Sequence, residues 1–135
     1  MISPDLARSL ALAGVRWNPS SGDAFRIDSE EFDDEVFTLS DMTIEAHEFD
    51  TGTVLGFNGT TEWALDSIEL DNVLWMPREE QLRELLGGTF RALRVEGKLF
   101  TVDVVFADAT ASFTSTNASD AYALALLELA NRSRR

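Results

Sequence analysis

The 135-residue chain has no cysteine, a single histidine and, between Arg26 and Arg78, no lysine or arginine at all. The missing cysteine excludes disulfides, thiolate metal sites and cysteine nucleophiles together. With one histidine, no site can draw two imidazoles from one chain. His47-Glu48 begins like a zinc-protease H-E-x-x-H but has no second histidine, and a zinc deaminase would need cysteine ligands. Long apolar runs are missing too. The longest, Ala121 to Leu127, is far short of the roughly 20 residues that span a bilayer. Met1-Ile2-Ser3-Pro4-Asp5 has no basic segment followed by an apolar one, so no signal peptide is expected. The expected location is cytoplasmic, without membrane association, and the glycosylation triplets at Asn58, Asn117 and Asn131 are then coincidental.

What is present suffices for a core: 44% hydrophobic and 10% aromatic residues exclude a disordered class. Length, and the lack of a linker or internal repeat, predict one domain over residues 1–135. The net charge of −13 is concentrated, because fourteen acids fall between Asp28 and Met76. With a Debye length of about 8 Å at physiological salt, carboxylates on one face act together. Such a field draws basic surfaces and repels phosphate backbones and anionic membranes. Direct nucleic-acid binding is disfavoured, since it rests on cations that neutralise phosphates. The plainer role of such a face is to keep a small protein in solution.

Local signals order the elements. Ser3-Pro4-Asp5 opens a helix with Leu6, Leu10 and Ala13 on its inner face, and Gly14 closes it. Asn18 to Gly22 is a turn, Phe25 and Ile27 a short strand, and Ser29 to Asp34 an acidic loop. Val36 to Leu39 is a short apolar strand. Met42 to Phe49 alternates as a strand and pairs across Asp50-Thr51-Gly52 with Thr53 to Phe57. Thr60 to Ile68 is expected to be helical, with Trp63 inward. A helix begins at Pro77, with Leu82, Leu85 and Leu86 inside, Glu79 paired to Arg83, and Gly87-Gly88 as its stop. Phe90 to Val95, Leu99 to Phe106 and Ala109 to Thr114 form a meander. A last helix starts near Asn117, with Asp120 completing a partial capping box. Its Ala121, Leu124, Ala125, Leu127 and Leu129 predict extensive burial, and Arg132, Arg134 and Arg135 complement its negative end. Runs of strands set apart from helices indicate an α+β fold: a mainly antiparallel sheet with N-terminal, central and C-terminal helices packed on it.

Chemistry leaves few traces. Gly97-Lys98-Leu99 is the only Gly-Lys pair and lacks the rest of a phosphate loop. Gly52, Gly56 and Gly59 do not have dinucleotide spacing and lie on a hairpin. Asp28 to Glu35 lacks EF-hand spacing, and no G-x-S-x-G elbow occurs. Glu45 and His47 share a strand face and could hold a divalent ion weakly; a solvated histidine beside acids is the plainer alternative. No cofactor, metal site or catalytic residue is assigned.

Aromatic residues cluster at a junction. Trp63, Leu74, Trp75 and Met76 flank Asp66 to Asp71. Exposed, they would anchor a basic and apolar partner; buried, they would close the core. The expected partner-binding residues are Glu30, Glu31, Asp33, Asp34, Glu62, Trp63, Asp66, Glu69, Asp71 and Trp75. The expected function is a non-catalytic interaction or accessory module for a basic protein. Immunity or nucleic-acid-mimic proteins would use the same physics. A small carboxylate enzyme, with or without a divalent metal, is the alternative, and self-association through Trp75 is a third possibility.

The segments Phe57-Asn58-Gly59-Thr60-Thr61-Glu62-Trp63-Ala64, Leu74-Trp75-Met76-Pro77-Arg78-Glu79-Glu80-Gln81-Leu82 and Asp120-Ala121-Tyr122-Ala123-Leu124-Ala125-Leu126-Leu127 resemble those of short, uncharacterised actinobacterial proteins often catalogued as pilus assembly proteins. The likeness runs from about Met1 to Leu129. That name derives from an ATPase-like family, whose phosphate loop this chain lacks. The resemblance therefore implies kinship and carries over no catalytic residue.

Overall fold

The computed structural model describes residues 1–27, 35–39, 44–49, 52–57, 67–69 and 73–133, with backbone alone for 44–49, 52–57 and 67–69. All strand pairs among the described residues are antiparallel, in three three-stranded sheets. The fold is α+β. The chain forms two compact units, one of Met1–Arg16 with Pro77–Arg135 and the other of Trp17–Met76.

The first unit holds helices α1 (Pro4–Leu12), α2 (Glu79–Leu86) and α3 (Ala118–Ser133), with strands β7 (Phe90–Glu96), β8 (Leu99–Phe106) and β9 (Ala109–Ser115). β8 is central in its sheet. Its Val102, Val104 and Phe106 are buried on one face, and Thr101, Asp103 and Val105 alternate onto the other. Helix α3 packs over β8 and β9, and both α1 and α2 lie against α3. The sheet is thus covered chiefly by the C-terminal helix, which in turn carries the other two.

Alanine makes that arrangement possible. The buried positions of α3 are Ser119, Ala121, Tyr122, Ala123, Ala125 and Leu126, while Leu124, Leu127 and Leu129 are only half-buried. The expected burial thus holds for Ala121 and Ala125 and is only partial at Leu124, Leu127 and Leu129. Small side chains let neighbouring backbones approach, so the alanines occupy the closest contacts and the leucines fill the margins. Asn117 caps the helix, its Oδ1 accepting from the Ser119 amide at 2.9 Å. Asp120 does not complete the capping box: its Oδ1 accepts from the Ser3 amide at 2.7 Å and so ties down the start of α1. The Asn117 side-chain amide also donates to the Met1 carbonyl, and Ile2 beside it is buried.

Helix α2 starts later than Pro77, because strand β6 (Val73–Met76) runs up to that proline. The Arg78 amide at the helix start donates to Gln81 Oε1 at 2.9 Å. Leu82 and Leu86 are buried, but Leu85 is 44% exposed. At about 100° per residue it lies roughly 80° around the helix from the Leu82–Leu86 midline, so it misses α3. The expected Glu79–Arg83 ion pair is not formed among the described residues. The Arg83 guanidinium lies over the Phe90 ring, 4.4 Å from its centre, and Phe90 stacks on Tyr122 at 5.6 Å. Burial, and then the nearby Glu79 charge, push the Tyr122 phenol up from its ordinary pKa.

The second unit holds β1 (Ala24–Ile27), β2 (Phe37–Thr38), β3 (Ile44–Phe49), β4 (Gly52–Phe57), β5 (Ser67–Glu69) and β6. The expected β3–β4 hairpin forms, in register from Ile44↔Phe57 to Phe49↔Gly52. Two differences are clear. Ser67 and Ile68, expected at the end of a helix, belong to strand β5; the rest of that segment, residues 60–66, lies outside the described residues. Strand β6 had no sequence expectation. It pairs with β1 across some fifty residues, from Ala24↔Met76 to Ile27↔Val73, and such a partner leaves no local periodicity to read.

The two hairpins of the first unit turn differently. Gly97, at φ 60°, takes the first position of the β7–β8 turn without a steric cost. In the β8–β9 turn, Ala107 and Asp108 sit at φ 46° and 70°, a two-residue mirror-image turn built without glycine. Replacing Ala107-Asp108 with Asn-Gly is expected to stabilise this unit by about 0.5–1 kcal/mol in urea unfolding.

Candidate functional site

One of the two sheets of Trp17–Met76 is ordered β2-β1-β6, and all four residues of its β1 are buried. Register lines up Phe37, Phe25 and Trp75 across the three strands. Trp17 closes this row: its ring stacks nearly parallel to Trp75 at 6.5 Å and tilts against Phe25 at 5.6 Å. The core is Trp17, Phe25, Ile27 and Leu39, with Phe37, Val73 and Trp75 partly buried against it.

A buried acid fixes this cluster. Asp23 is 2% exposed, and its Oδ2 accepts from Trp17 Nε1 at 2.8 Å and from the Ser20 amide at 3.0 Å. The Asp23 amide donates back to the Ser20 carbonyl, closing the turn that the Asn18–Gly22 cluster predicts. Its carbonyl accepts from the Leu39 amide, and the Gly22 amide donates to the Leu39 carbonyl, which continues the β1–β2 ladder. Asp23 was not among the candidate residues. The signal that could have found it is a carboxylate closing a Ser-Ser-Gly turn six residues after a tryptophan.

Of the expected partner-binding residues, Trp75 is in β6, stacked on Trp17 and partly exposed. Among the described residues its buried Nε1 has no hydrogen-bond partner. Glu69 is in β5, in register with Val54, which is itself in register with His47 of β3. Glu30, Glu31, Asp33, Asp34, Glu62, Trp63, Asp66 and Asp71 lie outside the described residues. Because β1 runs antiparallel to β2 and β6, the end of β1 and the starts of β2 and β6 share one end of the sheet. Asp28 is bonded to Ile27, exposed Glu35 precedes Phe37 by two residues, and Asp71 precedes Val73 by two.

The charge divides along the two units. Trp17–Met76 carries fifteen acids and one base, Arg26, which is only 8% exposed. The other unit has nine acids and ten bases, many of them neutralising one another. Arg8 meets Asp5 at 3.3 Å, Arg78 meets Glu80 at 2.7 Å, and Arg132 meets Glu128 at 2.9 Å. On the open face of the β7-β8-β9 sheet, Arg94 grips both carboxylate oxygens of Asp103 at 2.6 and 3.0 Å, and Ser112 donates to the same carboxylate at 2.6 Å. The Arg94 hydrogen bonds, then that of Ser112, hold the Asp103 carboxyl below its ordinary pKa. Among the described residues no three His, Asp or Glu side chains gather as a metal site would require.

Two outcomes are expected. Asp23→Ala leaves two donors without their acceptor and should cost about 2–3 kcal/mol in urea unfolding, with Asp23→Asn, which keeps one acceptor oxygen, costing less. A carboxyl held below its ordinary value stabilises the fold above about pH 4, and that contribution disappears as pH falls through the lowered value. Asp103→Asn should thus lower the melting temperature at neutral pH and flatten its decline below about pH 4. No family model matches this chain, and neither the curated proteins nor the solved structures contain a match to it.

Proposed function

We propose that this protein is a non-catalytic interaction module of the cytoplasm whose Trp17–Met76 unit binds a basic partner protein. The observation that carries this reading is the separation of charge: fifteen acids share a unit whose single base is buried, while the other unit is close to neutral. A unit with this balance has a one-signed field that accelerates encounter with a cationic surface and disfavours nucleic acid and anionic lipid. The aromatic row of Phe37, Phe25 and Trp75 supplies a rigid scaffold, and partly exposed Trp75 gives the unit an apolar element at its surface. An accessory role in a larger assembly fits this physics; a pilus-assembly setting rests on the sequence resemblance alone.

The test is binding to a lysine-rich globular protein of high isoelectric point, with its lysine-acetylated form as control. Affinity is expected to fall about tenfold or more between roughly 50 and 300 mM salt and to vanish on acetylation. Neutralising Glu30, Glu31, Asp33 and Asp34 to their amides should weaken binding several-fold. The same change in charge at Asp5, Glu84, Glu96 and Asp108 should leave it nearly intact. Equal losses from both sets would reduce the effect to net charge and overturn the proposed surface.

A further inference from the structure

The β7-β8-β9 sheet has two edges of opposite character. β7 is guarded. It carries Arg91, Arg94 and Glu96, its register slips between Phe90 and Ala92, and the Arg91 guanidinium donates back to the Gly88 and Phe90 carbonyls. Charge, a bulge and a side chain laid on the backbone are the usual protections of an edge strand. β9 has none of them. Its sequence, Ala109-Thr110-Ala111-Ser112-Phe113-Thr114-Ser115, has no charge and no proline. All seven residues pair with β8, and among the described residues with no other strand. Ala109, Thr110, Ser112 and Thr114 are exposed, and Ala111, Phe113 and Ser115 are half-buried.

We infer that β9 is the contact edge of a two-fold homodimer, in which it pairs antiparallel with β9 of a second copy to give a continuous six-stranded sheet. The strand is complementary to itself. An antiparallel pairing centred on Ser112, its midpoint, overlaps all seven residues and sets Thr110 opposite Thr114 of the other copy and Ser112 opposite Ser112. On this open face hydroxyls meet hydroxyls, a favourable cross-strand combination. On the other face Ala111 meets Phe113, small against large, at the half-buried edge beside α3. Charge also favours a second copy here. β9 belongs to the unit with nine acids and ten bases, whereas an approach through Trp17–Met76 would bring together two sets of fifteen carboxylates. Because β7 is blocked, the pairing closes as a dimer and does not extend into a filament.

The test uses the full chain and measures mass in solution by light scattering. The wild type is expected at twice the 15.0 kDa chain mass, and to remain so at high salt, where the proposed complex with a basic protein dissociates. Thr110→Lys with Thr114→Lys places lysine opposite lysine at both ends of the pairing and should give monomers with an unchanged circular dichroism spectrum. Thr110→Lys with Thr114→Glu places lysine opposite glutamate and should restore the dimer. Both variants lose the Thr101–Thr114 hydroxyl hydrogen bond, so their comparison isolates the contact between copies. A monomeric wild type, a dimer that survives the double lysine, or no recovery with the lysine–glutamate pair would each overturn the inference.

Discussion

Mutual repulsion among fifteen carboxylates in one sixty-residue unit is the constraint on which the rest of this structure turns. That repulsion favours expansion, and the unit, whose sequence supplies only one base, opposes it with an aromatic cluster. Trp17, Phe25, Phe37 and Trp75 bring large apolar area at low conformational cost. Among the described residues the acid drawn into this centre is Asp23, hydrogen-bonded by Trp17 and by the backbone of its own turn. A carboxylate can be buried there because its acceptor capacity is used.

The same constraint gives the other unit its character. With the acids concentrated in Trp17–Met76, the remaining residues balance in sign and can satisfy one another locally. The Arg94–Asp103–Ser112 network and the Arg132–Glu128 pair are examples. Arg83 and Arg132 spread over the rings of Phe90 and Phe106, so their planar cations also cover apolar surface. A near-neutral unit can tolerate an uncharged, unguarded strand edge. In a strongly charged unit, repulsion would keep a second copy away. The proposed binding of a cationic protein and the proposed pairing with an identical chain thus fall to different units for the same electrostatic reason.

Helix α3 organises the near-neutral unit. It touches the sheet and both other helices, and Asp120 and Asn117 at its start hold the first residues of the chain. Its alanines set the spacing between layers. The sequence pattern groups Ala121 and Ala125 with Leu124, Leu127 and Leu129 as one apolar girth. Packing selected the alanines, because closeness of approach matters more than side-chain size where three elements meet one helix.

The sequence by itself determined what depends on neighbours along the chain. Ser3-Pro4-Asp5 marks the start of α1, Gly87 the end of α2, alternation from Phe100 to Phe106 the inner face of β8, and the absence of bases after Arg26 the acidic unit. Each rests on a local rule: a cap, a positive φ, a two-residue period, a count of charges. Only the tertiary structure decided that β6 pairs with β1, that Ser67 and Ile68 are strand, that Asp120 serves Ser3 rather than its own helix, and that Asp23 is the buried acceptor for Trp17. In each of these the energy comes from a partner distant in the chain or from burial that the fold itself creates. No window of neighbouring residues contains the distant partners, and for Asp23 the local Trp17 spacing offers the donor but not the burial.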